Sequence, residues 1–231
     1  MTANNQDFTL ASECPANPVP VIGVGSSALL GSVTLSCEDC MALMRRYPDK
    51  HFDLAIVDPP YGIGQHGGHS NTQHTVRAAW DNETPPQEYW TELFRVSRNQ
   101  IVWGGNYFEM PPRRGWIVWD KRPMPPSFAS CELAWTSYDR NASTWSGKTG
   151  NDVPAADRIH PTQKPVKLYE WLLANYAKQG QRILDTHLGS GSHAIACHYA
   201  GMHLTACEID ADYFAAAQER IARETRQTTL F

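Results

Sequence analysis

Ile183-Leu184-Asp185-Thr186-His187-Leu188-Gly189-Ser190-Gly191-Ser192-His193-Ala194, followed by Leu204-Thr205-Ala206-Cys207-Glu208, decides the fold. An apolar strand runs into a glycine-rich turn, the turn opens a helix to Ala200, and a second strand ends in an acid. That succession is the unit that holds an adenosine-containing ligand, because the glycines admit close contact and the acid accepts from ribose hydroxyls. A plain structural turn competes as a reading of the glycines alone. Glu208 at the second strand's end favours the ligand-binding reading.

Upstream, the apolar run Leu54-Ala55-Ile56-Val57 delivers Asp58-Pro59-Pro60-Tyr61-Gly62 at its carboxyl end. Ligands bind at that edge of open α/β sheets. Each proline fixes φ and supplies a carbonyl without an N–H, so the turn is rigid and built to accept protons. Ordinary strand terminators share this composition, and the rest of the chain must decide between the two readings.

Around these two stretches the pattern alternates strands and helices. Val33-Thr34-Leu35 reads as a strand, and Asp39 as the N-cap of a helix carrying Met41, Leu43, Met44 and Tyr47. Pro86 to Arg98 has helical spacing and precedes the strand Ile101-Val102-Trp103 and the turn Gly104-Gly105-Asn106-Tyr107-Phe108. Trp116 to Trp119 and Leu133 to Trp135 are further strands. After His160-Pro161-Thr162-Gln163-Lys164-Pro165 comes an amphipathic helix through Tyr176, and Asp210 caps the last helix.

The connecting segments carry the remaining polar chemistry. Gly62 to Glu83 is glycine-rich and reads as a lid, with His66, His69 and His74 as solvated side chains rather than metal ligands. Arg113, Arg114, Lys121 and Arg122 form the densest basic stretch and lie among aromatic rings, a place to track a phosphate backbone or simply a solvated loop. Tyr138 to Arg158, which includes Arg140 and Lys148, reads as a functional loop. Residues 1–30 read as a poorly ordered arm, and residues 31–231 as one catalytic domain.

Composition excludes some classes. The 231 residues carry a net charge of −4, which argues against coating nucleic acid by charge alone. No apolar run approaches a membrane span and the N-terminus lacks a signal's positive charge, so no membrane association and a cytoplasmic place are expected. The cysteines are scattered and read as reduced buried thiols. Cys37 and Cys40 have the spacing of a zinc half-site, but no second pair completes it, and no metal is expected.

The chain resembles the S-adenosylmethionine-dependent DNA amino-methyltransferases, in the permuted arrangement where the catalytic tetrapeptide precedes the cofactor loop. The resemblance spans about residues 33 to 225 and rests on DPPYG at 58–62, WGGNYF at 103–108, WIVWDK at 116–121, HPTQKP at 160–165, DxxxGSGS at 185–192 and EID at 208–210. It implies a Rossmann-like methyltransferase fold, a twisted and mostly parallel seven-stranded sheet with helices on both faces.

The resemblance assigns catalysis to Asp58, Pro59, Pro60 and Tyr61, with Tyr61 stacking on an extruded base. It implies that Asp185, Gly189, Gly191 and Ser192 hold the methionine part of S-adenosyl-L-methionine, with Asp58 close by. Glu208 would serve the ribose, Asp39 and Cys40 the adenine edge, and Thr162 and Lys164 the cofactor's carboxylate side, with Asp210 also among the cofactor-binding residues. Two positions depart from the family pattern: Thr186-His187 stands where Pro-Phe is usual, and Glu38 where Gly is usual.

The implied partner is double-stranded DNA, contacted by Arg113, Arg114, Lys121, Arg122, Arg140 and Lys148. Because the recognition segments are short, a short target sequence or a second subunit, as in a homodimer, is expected. An aspartate at the first tetrapeptide position goes with the 6-amino group of adenine in this family, and the 4-amino group of cytosine is the nearest alternative. A nicotinamide dehydrogenase and a non-catalytic DNA-binding regulator are the alternatives from other classes.

Overall fold

The structure, a computed structural model, describes residues 19–22, 31–64, 81–123, 129–147, 159–160 and 162–226. Its centre is a nine-stranded sheet: β1 (Val19–Ile22), β2 (Val33–Cys37), β3 (Phe52–Val57), β4 (Ser97–Trp103), β5 (Trp116–Asp120), β6 (Cys131–Thr136), β7 (Ser143–Ser146), β8 (Arg182–Asp185) and β9 (His203–Glu208). The spatial order is β1-β2-β9-β8-β3-β4-β6-β5-β7. β1 and β6 run against the other seven strands. Central strands such as Leu54 to Val57 are buried on both faces, which is why they read as unbroken apolar runs.

Five helices cover the sheet. α1 (Cys40–Arg45) and α2 (Gln87–Val96) pack on one face through Leu43, Met44, Tyr89 and Leu93. α3 (Val166–Tyr176), α4 (Ser192–Ala200) and α5 (Ala211–Thr225) pack on the other through Leu168, Leu172, Ile195, Phe214 and Ile221. α4 carries the chain from β8 to β9, and α2 carries it from β3 to β4 on the opposite side. The carboxyl ends of β8 and β3 therefore diverge, and a crevice opens between them.

Four expectations need correction. The seven strands from β2 to β5 correspond to the expected sheet, and two edge strands extend it to nine. β1 falls within the segment read as an arm, and β7 within the segment read as a loop. Both are short, and β7 is polar, so neither has a run long enough to show a period. β4 begins at Ser97, earlier than expected, because Ser97 to Gln100 already pair with Phe52 to Ala55 of β3, and the buried Gln100 is satisfied by Ser97, its Nε2 donating to the carbonyl at 3.0 Å and to Oγ at 2.9 Å. Cys37 is disulfide-bonded, against the expectation of reduced thiols throughout.

Candidate active site

Two strand ends meet in the crevice. From β3 comes Asp58, and the Tyr61 hydroxyl donates to its Oδ1 at 2.7 Å. The turn is fixed from behind by Asp81, whose Oδ1 accepts from the backbone N–H of Tyr61 at 2.6 Å and of Gly62 at 3.1 Å. Asp81 is buried and was not singled out from sequence, because it lies in a polar segment of ordinary composition.

The Tyr61 ring is packed on both sides. Tyr107 stacks on it with centroids 4.9 Å apart and planes at 16°. Gly104 adopts φ +68°, and a Cβ there would lie 2.2 Å from the Tyr61 ring, so the WGGN turn needs glycine at this position. Tyr107 itself is 45 % exposed. The stacking partner of Tyr61 within the chain is Tyr107.

Lys164 does not simply face a cofactor carboxylate. Its ammonium pairs with Asp58 Oδ2 and lies 3.4 Å from Glu132 Oε2, while Glu132 Oε1 accepts from Lys121 Nζ at 3.0 Å. The result is a row of alternating charges, Asp58, Lys164, Glu132 and Lys121, set across the carboxyl ends of β3 and β5 and the amino end of β6. Burial pushes the Asp58 carboxyl up against the pull of Lys164. Burial opposes the Lys164 charge, but Asp58 and Glu132 hold its pKa above the ordinary lysine value. Glu132 is likewise opposed by burial and brought below the usual carboxylate range by Lys164 and Lys121.

Beside Asp58 lies a cavity of about 740 Å³. Of the expected cofactor residues, Asp39, Cys40, Asp58, Thr162, Lys164, Gly189, Glu208 and Asp210 line it. Asp39 caps α1, accepting from Met41 and Ala42, and Asp210 caps α5, accepting from Asp212 and Tyr213. Glu208 spans the glycine turn and the end of β9: Oε2 accepts from Gly189 N at 2.9 Å and Oε1 from Asp210 N at 3.1 Å. Burial raises its pKa, against those backbone hydrogen bonds. An ionised carboxylate offers about four lone-pair sites, and with Gly189, Ile209 and Asp210 bound Glu208 keeps about one for a ribose hydroxyl.

Asp185, Gly191 and Ser192 do not line the cavity. Asp185 accepts from His187 N at 3.0 Å and pairs with His193 Nδ1 at 2.9 Å, bracing the turn from within. Ser192 instead takes a hydrogen bond from Arg220 Nη1 at 2.9 Å. His160, Gln163 and Tyr213 line the cavity without having been singled out. Among the described residues no group of three His, Cys, Asp or Glu converges to hold a metal, and no helix is long and apolar enough to cross a membrane.

Comparison with known proteins places this geometry. The sequence model of a DNA methylase family, N6_N4_Mtase, matches residues 116–219. The type II methyltransferase M.HpaI of Haemophilus parainfluenzae is 21% identical over 236 residues, covering 82% of this chain and 74% of that protein. The crystal structure of the M1.HpyAVI-SAM complex superposes with a TM-score of 0.54 at 16% identity, covering 82% of this chain and 98% of the other. PvuII DNA methyltransferase, which is cytosine-N4-specific, superposes with a TM-score of 0.58 at 12% identity over 84% of this chain and 92% of the other. Over these stretches the chain is similar to DNA amino-methyltransferases in sequence, and it shares their fold.

Its two departures from the methyltransferase pattern have local explanations. Glu38 is held by Arg46 through a two-pronged ion pair, at 2.5 and 2.6 Å. Thr186 Oγ1 lies 2.7 Å from Tyr89 Oη and 2.9 Å from His187 Nδ1, so a hydrogen-bonded chain sets the imidazole at the cavity wall. Burial lowers the His187 and His160 pKa values to about 4, leaving both rings neutral at pH 7.

The basic residues expected on DNA divide between two edges of the sheet. β5 and β6 are antiparallel, so residues after β5 share the carboxyl edge with Asp58, whereas residues before β5 and after β6 share the opposite edge. Lys121 and Arg122 are on the Asp58 side, Lys121 tied to Glu132 and Arg122 to Asp120 at 2.7 Å. Arg113, Arg114 and Arg140 are on the far edge. Arg114 pairs with Asp139 at 2.7 Å, and Arg140 lies 4.5 Å from the Tyr176 ring centroid. Lys148, His66, His69 and His74, with most of the expected lid, lie outside the described residues.

Proposed function

We propose that the protein transfers a methyl group from S-adenosylmethionine to the exocyclic 6-amino group of an adenine extruded from double-stranded DNA. The observation that carries this reading is the charge of the cavity beside Asp58-Pro59-Pro60-Tyr61. Among its described lining residues are Asp39, Asp58, Glu208, Asp210 and Asp212, with Glu38 paired to Arg46, against one lysine already paired to two carboxylates. Such a lining suits a ligand carrying a sulfonium and an ammonium. It opposes the pyrophosphate of a dinucleotide, which disfavours the dehydrogenase alternative.

The residues fit the cofactor in kind and volume, since the cavity falls within the usual range for such ligands. Glu208 would take a ribose hydroxyl, Asp39 and Cys40 the adenine edge, and Gly189 the methionine part. When bound, S-adenosylmethionine supplies a methyl group on a sulfonium that carries its own leaving group. The chain's task is then positioning, which can be worth several orders of magnitude. Asp58 and the Pro59 carbonyl each accept an amine hydrogen, turning the nitrogen lone pair out of the base plane. Extruding the base costs a few kcal/mol, offset by contacts in the pocket.

The 4-amino group of cytosine is the second reading, favoured by the likeness in fold to a cytosine-N4-specific enzyme. Incubation with DNA and S-adenosylmethionine, followed by digestion and mass spectrometry, decides: N6-methyladenine supports the proposal and N4-methylcytosine replaces it. Asp58→Ala is expected to abolish transfer while leaving cofactor affinity nearly unchanged, and wild-type turnover in that variant would refute the role of Asp58. A short target sequence, or a second subunit, compensates for the small recognition surface. A monomer on gel filtration that methylates a long specific site would contradict this.

A further inference from the structure

Four charges stand in a row where two would serve, Lys164 buried and Asp58, Glu132 and Lys121 partly so. The Lys164 side chain is 4 % exposed and Lys121 10 %, and burying ions this way costs several kcal/mol each unless they are well paired. Asp58 is the member given a chemical task, yet its two oxygens already carry the Tyr61 hydroxyl and the Lys164 ammonium. A target amine must share an Asp58 oxygen with the hydroxyl or with the ammonium. Glu132, from the neighbouring β6, offers the ammonium a second carboxylate at 3.4 Å. Lys121 Nζ, 5.5 Å from the Trp119 ring centroid, balances the charge of Glu132 from the other side.

On the reading of Asp58 as amine acceptor, we propose that Glu132 is a positioning residue for the reaction: it shares the Lys164 ammonium with Asp58, so that an Asp58 oxygen is released to the target amine while its charge stays balanced. Removing the Glu132 carboxylate leaves Lys164 with Asp58 as its sole anion. The ammonium then stays on Asp58, and the amine is held less well. A third N–H of Lys164 remains for other contacts, and the Trp103 ring 5.3 Å away limits where the ammonium can move.

The test uses the full-length chain. Glu132→Gln should lower kcat by about tenfold to a hundredfold with KM for cofactor and DNA nearly unchanged, the size of effect expected when a reacting group is mispositioned. Glu132→Asp should recover part of the loss. A purely structural role predicts that stability and KM change together with kcat. The groups facing Asp58 are Tyr61, Tyr169, Lys164 and Glu132, and those facing Lys164 also include His160. Removing the anion Glu132 should shift the Asp58 titration to lower pH, and Lys164→Met should shift it to higher pH.

Carbon-13 NMR of the labelled Asp58 carboxyl, in the protein without cofactor or DNA, reads both shifts directly. Opposite shifts with the kcat loss support the proposal. Wild-type kcat in Glu132→Gln, or an Asp58 titration unmoved in either variant, overturns it. If the wild-type chain transfers no methyl group to DNA, the proposed function fails instead, and the NMR titration still reports on the charge row.

Discussion

At the scale of single residues, Gly104 shows how closely the tetrapeptide is fitted. Its φ of +68° already disfavours any other residue, and a Cβ would meet the Tyr61 ring at 2.2 Å. Gly104→Ala should cost about 1–3 kcal/mol of stability from overpacking and backbone strain, measured by urea denaturation. Because the strain pushes on Tyr61 and so on Asp58, kcat should fall while calorimetric cofactor affinity holds. Full activity in this variant would mean that Tyr61 does not orient the carboxylate. The chemistry of Asp58 could be read from its strand and prolines. The partner of Lys164 could not, since Asp58 and Glu132 reach it from distant parts of the sequence and only the sheet order brings them together.

At the scale of elements, the glycine turn is held by a helix that follows it by some thirty residues. Gly191 has φ +76° and a Cβ there would lie 2.9 Å from Ile221, and Arg220 Nη1 donates to the Ser190 carbonyl and Ser192 Oγ, both at 2.9 Å. α5 is thus a buttress for the loop between β8 and α4. Arg220→Met should leave two buried acceptors short of a partner and cost about 1–3 kcal/mol. It should also weaken cofactor binding on the order of tenfold, read by calorimetry; unchanged affinity would mean that the loop holds its own shape. Strand, turn and helix were legible from the apolar run, the glycines and the capping acid. The buttress was not, because an arginine at helical spacing looks like a solvated charge until its neighbours are known.

At the scale of the whole molecule, two buried neutral histidines tie stability to pH. His160 and His187 have folded pKa values of about 4, depressed first by burial, against an unfolded value of about 6.5. Above pH 6.5 both states hold these rings neutral and there is no linkage. As pH falls from 6.5 toward 4 the unfolded chain takes up protons that the folded chain refuses, so stability is lost, and the loss levels off below 4. Asp58 and Glu208 oppose this trend: burial raises their folded pKa values, so they return stability as the pH falls through those values. The wild-type slope mixes both signs, and a difference between variants separates them. His160→Asn with His187→Asn removes the titration while keeping an acceptor for Thr162 and Thr186. Relative to its own stability at pH 7, the double variant should retain about 1–3 kcal/mol more per site at pH 4.5 than the wild type, by urea denaturation at each pH. Parallel losses in the two proteins would show that the imidazoles protonate freely in the fold, and that the cavity wall they form is open to water.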